Sequence, residues 1–287
     1  MNTGANGNGQ LYFYAGDDVR FYDVTAESTD RAYQLMQTCS VEILSRWLLA
    51  RGSDPLVSSA WVMDIGCGTG AATMQILASV PLCKIICVDS SADMLGQLRQ
   101  KVENAYGSIS AGGRVFYACE DFRRSGWLDA SFKGIDSRIR PTQLDAALSI
   151  YALHHLLPDE KLQVYRAIYT SLKPRGMFVL GDLFAFATEW LSSWAQQSEE
   201  DWLTQEFDSI PQAKPWLEAI LGPHRERLKE AWLAHVRNDN RPLAIQPTGN
   251  DASELGQSEI ELLSQAGFIG LETAFRIWQS AILIANV

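Results

Sequence analysis

Three glycines and two acidic residues form the pattern with the clearest chemical use. Gly66, Gly68 and Gly70 alternate directly after an apolar run that contains Asp64, and Asp89 ends a second apolar run. Alternate glycines let a ligand approach the backbone, because no Cβ atom stands in the way. A carboxylate at the end of a second strand is placed to bind ribose hydroxyls. The pattern predicts a site for a nucleotide-like ligand.

Polar side chains after the later apolar runs add candidates for base chemistry. His154 and His155 follow the fourth run, and Asp182 lies near the end of the fifth. An imidazole titrates near neutral pH and can remove a proton from a phenol, an enol or an acidic carbon. A structural role for either histidine stays open, and Asp182 either contacts a substrate or caps a loop. His224 and His235 lie in a later segment and are weaker candidates.

The elements that must position these residues follow from hydrophobic pattern. Apolar strand-like runs alternate with helical patterns, which predicts a parallel sheet covered on both faces. Ligands of such sheets bind beyond the carboxyl ends of the strands. The five runs are 61–65, 84–88, 114–119, 144–150 and 177–184. The runs 268–271 and 275–285 predict an antiparallel pair. The expected fold is a doubly wound, seven-stranded, mostly parallel α/β sheet with an antiparallel last strand.

The chain divides into four segments by composition. Residues 1–58 combine a Gly- and Asn-rich tail, expected to be disordered, with an N-terminal helical segment whose helix spans about 28–50. Residues 59–185 form the ligand-binding core, 186–250 a helical insertion, and 251–287 the last helix and β-hairpin.

Tryptophan is concentrated in the predicted insertion, which carries five of the nine in the chain. In a sheet of this kind the insertion would lie over the mouth of the site. Trp190 and Trp202 could then belong to a lid that shapes an apolar or aromatic pocket. Packing among the tryptophans themselves and a homodimer contact are the two other interpretations.

The ordered set of motifs resembles the class I S-adenosylmethionine-dependent methyltransferases. The matching pieces span residues 60 to 185, and they are Asp64-x-Gly66-x-Gly68-x-Gly70, Asp89 with Ala92-Asp93-Met94, Asp121-Phe122, Asp145 with His154-His155, and Leu172-Lys173-Pro174-x-Gly176. The resemblance implies S-adenosylmethionine as cofactor and methylation of an O, N or C atom. The expected acceptor is a small apolar or aromatic molecule of secondary metabolism.

The resemblance also implies roles for individual residues. Asp64 would hold the glycine turn and the methionine amino group, and Tyr22 would face the sulfonium unless it simply packs. The implied cofactor-binding set is Tyr22, Asp64, Gly66, Cys67, Gly68, Asp89, Ser90, Met94, Asp121, Phe122 and Ser149. The implied substrate-binding set is Tyr14, Tyr151, Asp182, Trp190 and Trp202.

Three other functions share parts of this pattern. Gly66-x-Gly68-x-x-Ala71 also suits a nicotinamide-dependent dehydrogenase, although Asp64 and the antiparallel ending speak against it. Enzymes that make or use carboxylated S-adenosylmethionine for transfer RNA modification are loosely similar, and they need an arginine for the extra carboxylate. The candidates for that role are Arg20, Arg31 and Arg276. A cofactor-binding protein without methyl transfer is the third alternative.

Charge and cysteine content limit the partners. The 287 residues carry a net charge of −10, which repels phosphate backbones and anionic membranes. We therefore expect neither a nucleic acid nor a membrane as partner. Five cysteines without paired metal-ligand spacing predict no metal site and suit a reducing cytoplasm.

Overall fold

The architecture comes from a computed structural model of the chain. The structure describes residues 16, 19–29, 32–51, 60–111, 113–133, 135, 144–184, 189–236, 257–277 and 279–287. Tyr14 and Arg31, both named above as candidates, lie outside the described residues.

The centre of the molecule is a seven-stranded sheet. Its strands are β1 Trp61–Ile65, β2 Lys84–Asp89, β3 Val115–Cys119, β4 Leu144–Ile150, β5 Leu172–Leu183, β6 Ile269–Ile277 and β7 Ser280–Asn286. They lie in the order β3-β2-β1-β4-β5-β7-β6. The first five strands pair in parallel, and β7 is antiparallel to both β5 and β6. The predicted fold class is therefore confirmed.

Helices cover both faces of the sheet, as the apolar runs require. The α-helices are α1 Val19–Thr29, α2 Tyr33–Arg51, α3 Ala71–Ser79, α4 Ala92–Ala111, α5 Trp127–Ser131, α6 Pro158–Ser171, α7 Glu189–Ala213, α8 Pro215–Leu221, α9 Arg225–Val236 and α10 Gln257–Ala266. Side chains of α2, α3 and α4 pack on one face, and those of α5, α6 and α10 on the other. Neighbours in one strand divide between the two cores, so Val62 belongs to the first and Met63 to the second.

Three boundaries differ from the sequence expectation. The last strand was expected to span 275–285, but β6 continues to Ile277 and β7 begins at Ser280. The chain before the core forms two helices, α1 and α2, where one helix over about 28–50 was expected. Strand β5 begins at Leu172 and not at Met177, because the chain pairs with β4 at both places and bulges between them. Arg175 adopts a left-handed φ of 66° in this bulge and donates its N–H to the Val287 carbonyl at 3.0 Å.

Helix α1 and helices α7, α8 and α9 share a third apolar cluster, and we call these four helices the cap. Phe21 of α1 packs there with Phe207 of α7, Leu217 of α8 and Leu228 of α9. The last three helices lie where the insertion was predicted, between β5 and α10. In the part of the chain that the structure describes, no helix has both the length and the apolar character needed to cross a membrane.

Candidate functional site

The glycine turn between β1 and α3 has the geometry that its sequence predicted. Gly66, Gly68 and Gly70 have φ values of 68°, 52° and 85°, which favour glycine. A Cβ on Gly66 would lie 2.2 Å from Cβ of Ala152, and one on Gly70 would lie 2.1 Å from Leu98. Around Gly68 no described heavy atom lies within 4 Å of such a Cβ. Two glycines therefore permit close packing, and the third leaves open space over the backbone.

Asp89 joins the end of β2 to this turn. Its Oδ2 accepts the Gly68 N–H at 2.8 Å, and its Oδ1 accepts the Ser91 N–H at 2.8 Å. Burial raises the pKa of Asp89, and these backbone donors oppose the increase. Each carboxylate oxygen has a second lone pair that can accept a hydrogen bond from a ribose hydroxyl. Of the other residues predicted here, Met94 is buried and Ser90 is exposed.

Asp64 lies beneath the turn, with 2% of its surface exposed. Its Oδ2 accepts the Thr73 hydroxyl at 2.5 Å, which ties β1 to α3. Burial raises its pKa to about 7; the Thr73 bond lowers the pKa and the charge of Asp89 raises it further. Cys67 is also buried, and burial with the neighbouring Cys87 raises the pKa of its thiol.

Three more residues of the implied cofactor-binding set, Phe122, Asp121 and Ser149, differ in their surroundings. Phe122 reaches within 3.9 Å of the position of a Cβ on Gly66, and it packs edge-on against Trp127. Asp121 is held by the Arg123 guanidinium at 2.9 and 2.8 Å, which lowers the pKa of the carboxyl. Ser149 is fully buried and donates its hydroxyl to the Ile65 carbonyl at 2.9 Å. The geometry thus gives no support to Ser149 as a ligand contact, because its hydroxyl already donates its proton to a neighbouring strand of the sheet.

His154 and Asp182 form a buried pair at the ends of β4 and β5. Asp182 accepts the His154 N–H at 2.9 Å through Oδ2, and its Oδ1 lies 2.5 Å from Nδ1 of the ring. The charge and hydrogen bond of His154 lower the pKa of Asp182 against the effect of burial. Each residue is 2% exposed, so this geometry supports neither Asp182 as a substrate contact nor His154 as a base that reaches substrate. His155 is half-buried, and its ring centroid lies 4.0 Å from that of His154.

Tyr151 follows β4 in a strained backbone conformation, with φ at 55°. Its hydroxyl lies 2.9 Å from Oγ of Ser280, and its ring stacks on Tyr33 with centroids 6.2 Å apart. This predicted substrate residue therefore stands at the carboxyl edge of the sheet, where α2, β4 and β7 meet.

Asp23 of α1 contacts the glycine turn, and sequence reasoning missed it. Its carboxylate accepts hydrogen bonds from the Thr69 hydroxyl and from Lys101 Nζ. Lys101 also donates to the Thr69 carbonyl at 3.0 Å, which closes a three-residue network. The neighbouring Tyr22 stacks on Trp232 of the cap. The sequence signal for this contact is the Tyr22-Asp23 pair, whose acidic residue lies in the same helix as the predicted Tyr22.

The predicted substrate residues of the insertion separate in the structure. Trp190 is 73% exposed and stacks on Trp194, whereas Trp202 is half-buried against the apolar cluster of the cap. Within the described ranges, no group of three or more His, Cys, Asp or Glu side chains could hold a metal ion.

The residues around the turn fit an adenosine-containing cofactor. Gly68 leaves the backbone accessible, Asp89 offers carboxylate lone pairs, and Phe122 provides a ring beside Gly66. Asp64, beneath the turn, can attract a cationic amino group when it is ionised.

Comparisons with known proteins agree with this geometry. Residues 63–178 match a family model described as a methyltransferase domain. A carboxy-S-adenosyl-L-methionine synthase from Shewanella loihica is 27% identical over 184 residues, which cover 61% of this chain and 68% of that protein.

Solved structures show the same fold at low sequence identity. The CurJ carbon methyltransferase has 17% identity and a TM-score of 0.57, over 94% of this chain and 59% of that one. The chain thus spans less than two thirds of the CurJ chain. Magnesium protoporphyrin IX methyltransferase from Synechocystis PCC 6803, solved with bound SAH, has 16% identity and a TM-score of 0.52 over 96% of both chains.

The family match covers the glycine turn, Asp89 and the parallel strands up to Phe178, and the chain shares its fold with the CurJ carbon methyltransferase. Residues 63–178 thus form a methyltransferase domain, of the class I type whose cofactor is S-adenosylmethionine.

Proposed function

We propose that the protein methylates an O, N or C atom of a small apolar or aromatic molecule, in small-molecule biosynthesis. The observation that carries the proposal is the attachment of the cap to the glycine turn. Asp23 binds Thr69 and Lys101, while the same helix packs its Phe21 into the apolar cluster of the cap. A site bordered by an apolar cap suits a small molecule better than a polymer.

The surroundings of the strand ends support the same substrate class. Tyr33 and Tyr151 stack where α2 meets the end of β4. These rings favour an apolar or aromatic acceptor by contact area. The net charge of −10 argues against a nucleic acid.

Methyl transfer depends more on how the protein positions the acceptor than on any covalent bond between the protein and the acceptor. When bound, S-adenosylmethionine supplies a methyl group activated by its sulfonium. The task of the chain is to hold the acceptor in line, which can contribute about 7 kcal/mol or more to lowering the barrier. His155 is the half-buried member of its pair, and it lies next to a His154 ring oriented by Asp182. His155 is therefore the better candidate for accepting a proton from a phenol or an enol.

The test is transfer of a labelled methyl group to a panel of phenols, amines and carboxylic acids. The proposal expects a labelled small-molecule product with the wild-type protein. Asp89→Ala should weaken cofactor binding by roughly 1–3 kcal/mol, because a charged hydrogen-bond acceptor is lost. Unchanged calorimetric affinity in this variant would count against the cofactor site, and tight cofactor binding with no labelled product would count against methyl transfer.

A second function is favoured by the names of the relatives. The Shewanella loihica protein and several others are carboxy-S-adenosyl-L-methionine synthases. Of the arginines considered for an extra carboxylate, Arg20 lies over the Phe21 ring and Arg276 lies on strand β6. Mass spectrometry of the cofactor released from the purified protein separates the two functions. A carboxylated cofactor would favour the synthase, and unmodified S-adenosylmethionine would favour methyl transfer.

A further inference from the structure

Helix α2 carries polar side chains on a face that is buried against the sheet. Tyr33, Gln37 and Ser40 recur at helical spacing, and all three are buried. Among the described residues, Oε1 of Gln37 and Oγ of Ser40 have no hydrogen-bond partner. A buried polar atom without a hydrogen-bond partner lowers the stability of the folded protein. Because a methionine or leucine would fill the place of Gln37 without that cost, its amide calls for an explanation in terms of a ligand.

Two contacts locate Gln37 on the sheet. One turn before it, Tyr33 stacks on Tyr151 with a 5° angle between the rings. One turn after it, Oγ of Ser40 lies 3.0 Å from the position of a Cβ on Gly181. Gly181 accepts the Tyr151 N–H through its carbonyl at 2.8 Å, so both contacts belong to one corner of the fold. Gln37 therefore lies beside the carboxyl ends of β4 and β5.

This corner already shows signs of a site. Tyr151 holds a left-handed backbone conformation that L-residues seldom adopt, and such strain is concentrated at functional positions. Its hydroxyl is directed to Ser280 at the start of β7 by a 2.9 Å contact. The polar groups here line the same strand ends that the proposed acceptor must approach.

We propose that Gln37 accepts a hydrogen bond from the methyl acceptor, and that the stacked pair of Tyr33 and Tyr151 lies beside the ring of that molecule. The inference rests on the proposed function and narrows its substrate class. A carbonyl oxygen without a donor selects a neutral hydroxyl or N–H group, because burying a charged group at this place would cost more. The stacked tyrosines select a planar ring. The ligand class is a neutral aromatic molecule that carries a hydroxyl or N–H group.

The helix supplies its own matched control. Ser45 is also buried, and its Oγ has no partner among the described residues. It lies further along α2, towards Arg51, which donates to the Arg175 carbonyl near the start of β5. Ser45 is thus placed towards the opposite end of the strands. Gln37→Met and Ser45→Ala should both fold, because each removes a polar atom that lacks a partner.

The experiment measures binding of naphthol and of naphthalene to the full chain saturated with S-adenosylhomocysteine. We expect the wild-type protein to prefer naphthol by about tenfold, the ratio that one buried hydrogen bond of ordinary strength provides. Gln37→Met should abolish this preference without changing the affinity for S-adenosylhomocysteine, and Ser45→Ala should retain it.

Three results would overturn the inference while leaving methyl transfer intact. They are an unchanged preference in Gln37→Met, an equal loss in Ser45→Ala, and no binding of either aromatic to a protein that holds S-adenosylhomocysteine. Failure to bind S-adenosylhomocysteine is a different outcome, because it contradicts the proposed function itself.

Discussion

Asp64 shows how burial gives one residue a pH-dependent role. The carboxylate is almost fully buried and accepts one hydrogen bond from Thr73, while the charge of Asp89 acts nearby. Burial dominates and raises the pKa of Asp64 to about 7. Near neutral pH a small change in solution conditions therefore decides whether Asp64 carries a charge.

We expect S-adenosylhomocysteine to bind more tightly as pH rises. Below its pKa, Asp64 is protonated and attracts the cationic amino group of the ligand weakly; above it, the carboxylate attracts this group strongly. Binding then lowers the pKa of Asp64 and releases a proton. Calorimetry should show an affinity increase of about tenfold between about pH 6 and about pH 8.

Asp64→Asn provides the control for this prediction. Its amide oxygen can still accept the Thr73 hydroxyl, so the shape of the turn is kept while the charge is removed. The variant should bind with a nearly flat pH profile. A profile as steep as that of the wild-type protein would assign the titration to another group, such as Asp89.

At the scale of elements, the network of Asp23, Thr69 and Lys101 connects the cap to the glycine turn. Asp23→Asn should weaken S-adenosylhomocysteine binding by about three- to tenfold, because the ion pair to Lys101 is lost and the turn loses support. Proteolysis within α1 should become faster in the same variant. Glu27→Gln is the matched control, since Glu27 lies on the same helix with its side chain exposed. If both variants behave like the wild-type protein, α1 does not support the site.

Local pattern was enough to predict the strands and the glycine turn, and not enough to predict α1. A strand buried on both faces reads as a continuous apolar run, as β2 does in Ile85-Ile86-Cys87-Val88. Helix α1 is 11 residues long, and its Phe21 is buried in a cluster with helices from much later in the chain. Helices of this length depend on tertiary packing.

The residues of the candidate site show the same difference between local pattern and distant packing. Asp89 and the three glycines could be predicted because their roles follow from position in one strand-turn-helix unit. Asp23 and the burial of Gln37 could not, since both depend on packing between elements that are distant in the chain. For His154 and Asp182 the sequence indicated the location and not the burial, which depends on how two strands pair.

At the scale of the whole molecule, a buried ion pair joins the C-terminal segment to the core. Glu259 of α10 accepts a hydrogen bond from Lys161 Nζ of α6 at 2.6 Å and another from the Tyr165 hydroxyl. Both charged residues are nearly completely buried. Burial, together with the charge of Glu259, raises the pKa of Tyr165 well above its usual range. Through this contact α10 holds the hairpin of β6 and β7 in place beside β5.

Glu259→Gln should lower the free energy of unfolding by about 3 kcal/mol, because it leaves the buried ammonium of Lys161 without a counter-charge. Urea unfolding measures this loss, and Glu261→Gln, an exposed position on the same helix, should change little. The pair Lys161→Met with Glu259→Leu should be less destabilised than the single variant, since no buried charge remains. The affinity for S-adenosylhomocysteine should stay unchanged in every folded variant. A single variant as stable as the wild-type protein would show that the pair does not hold the C-terminal segment to the core.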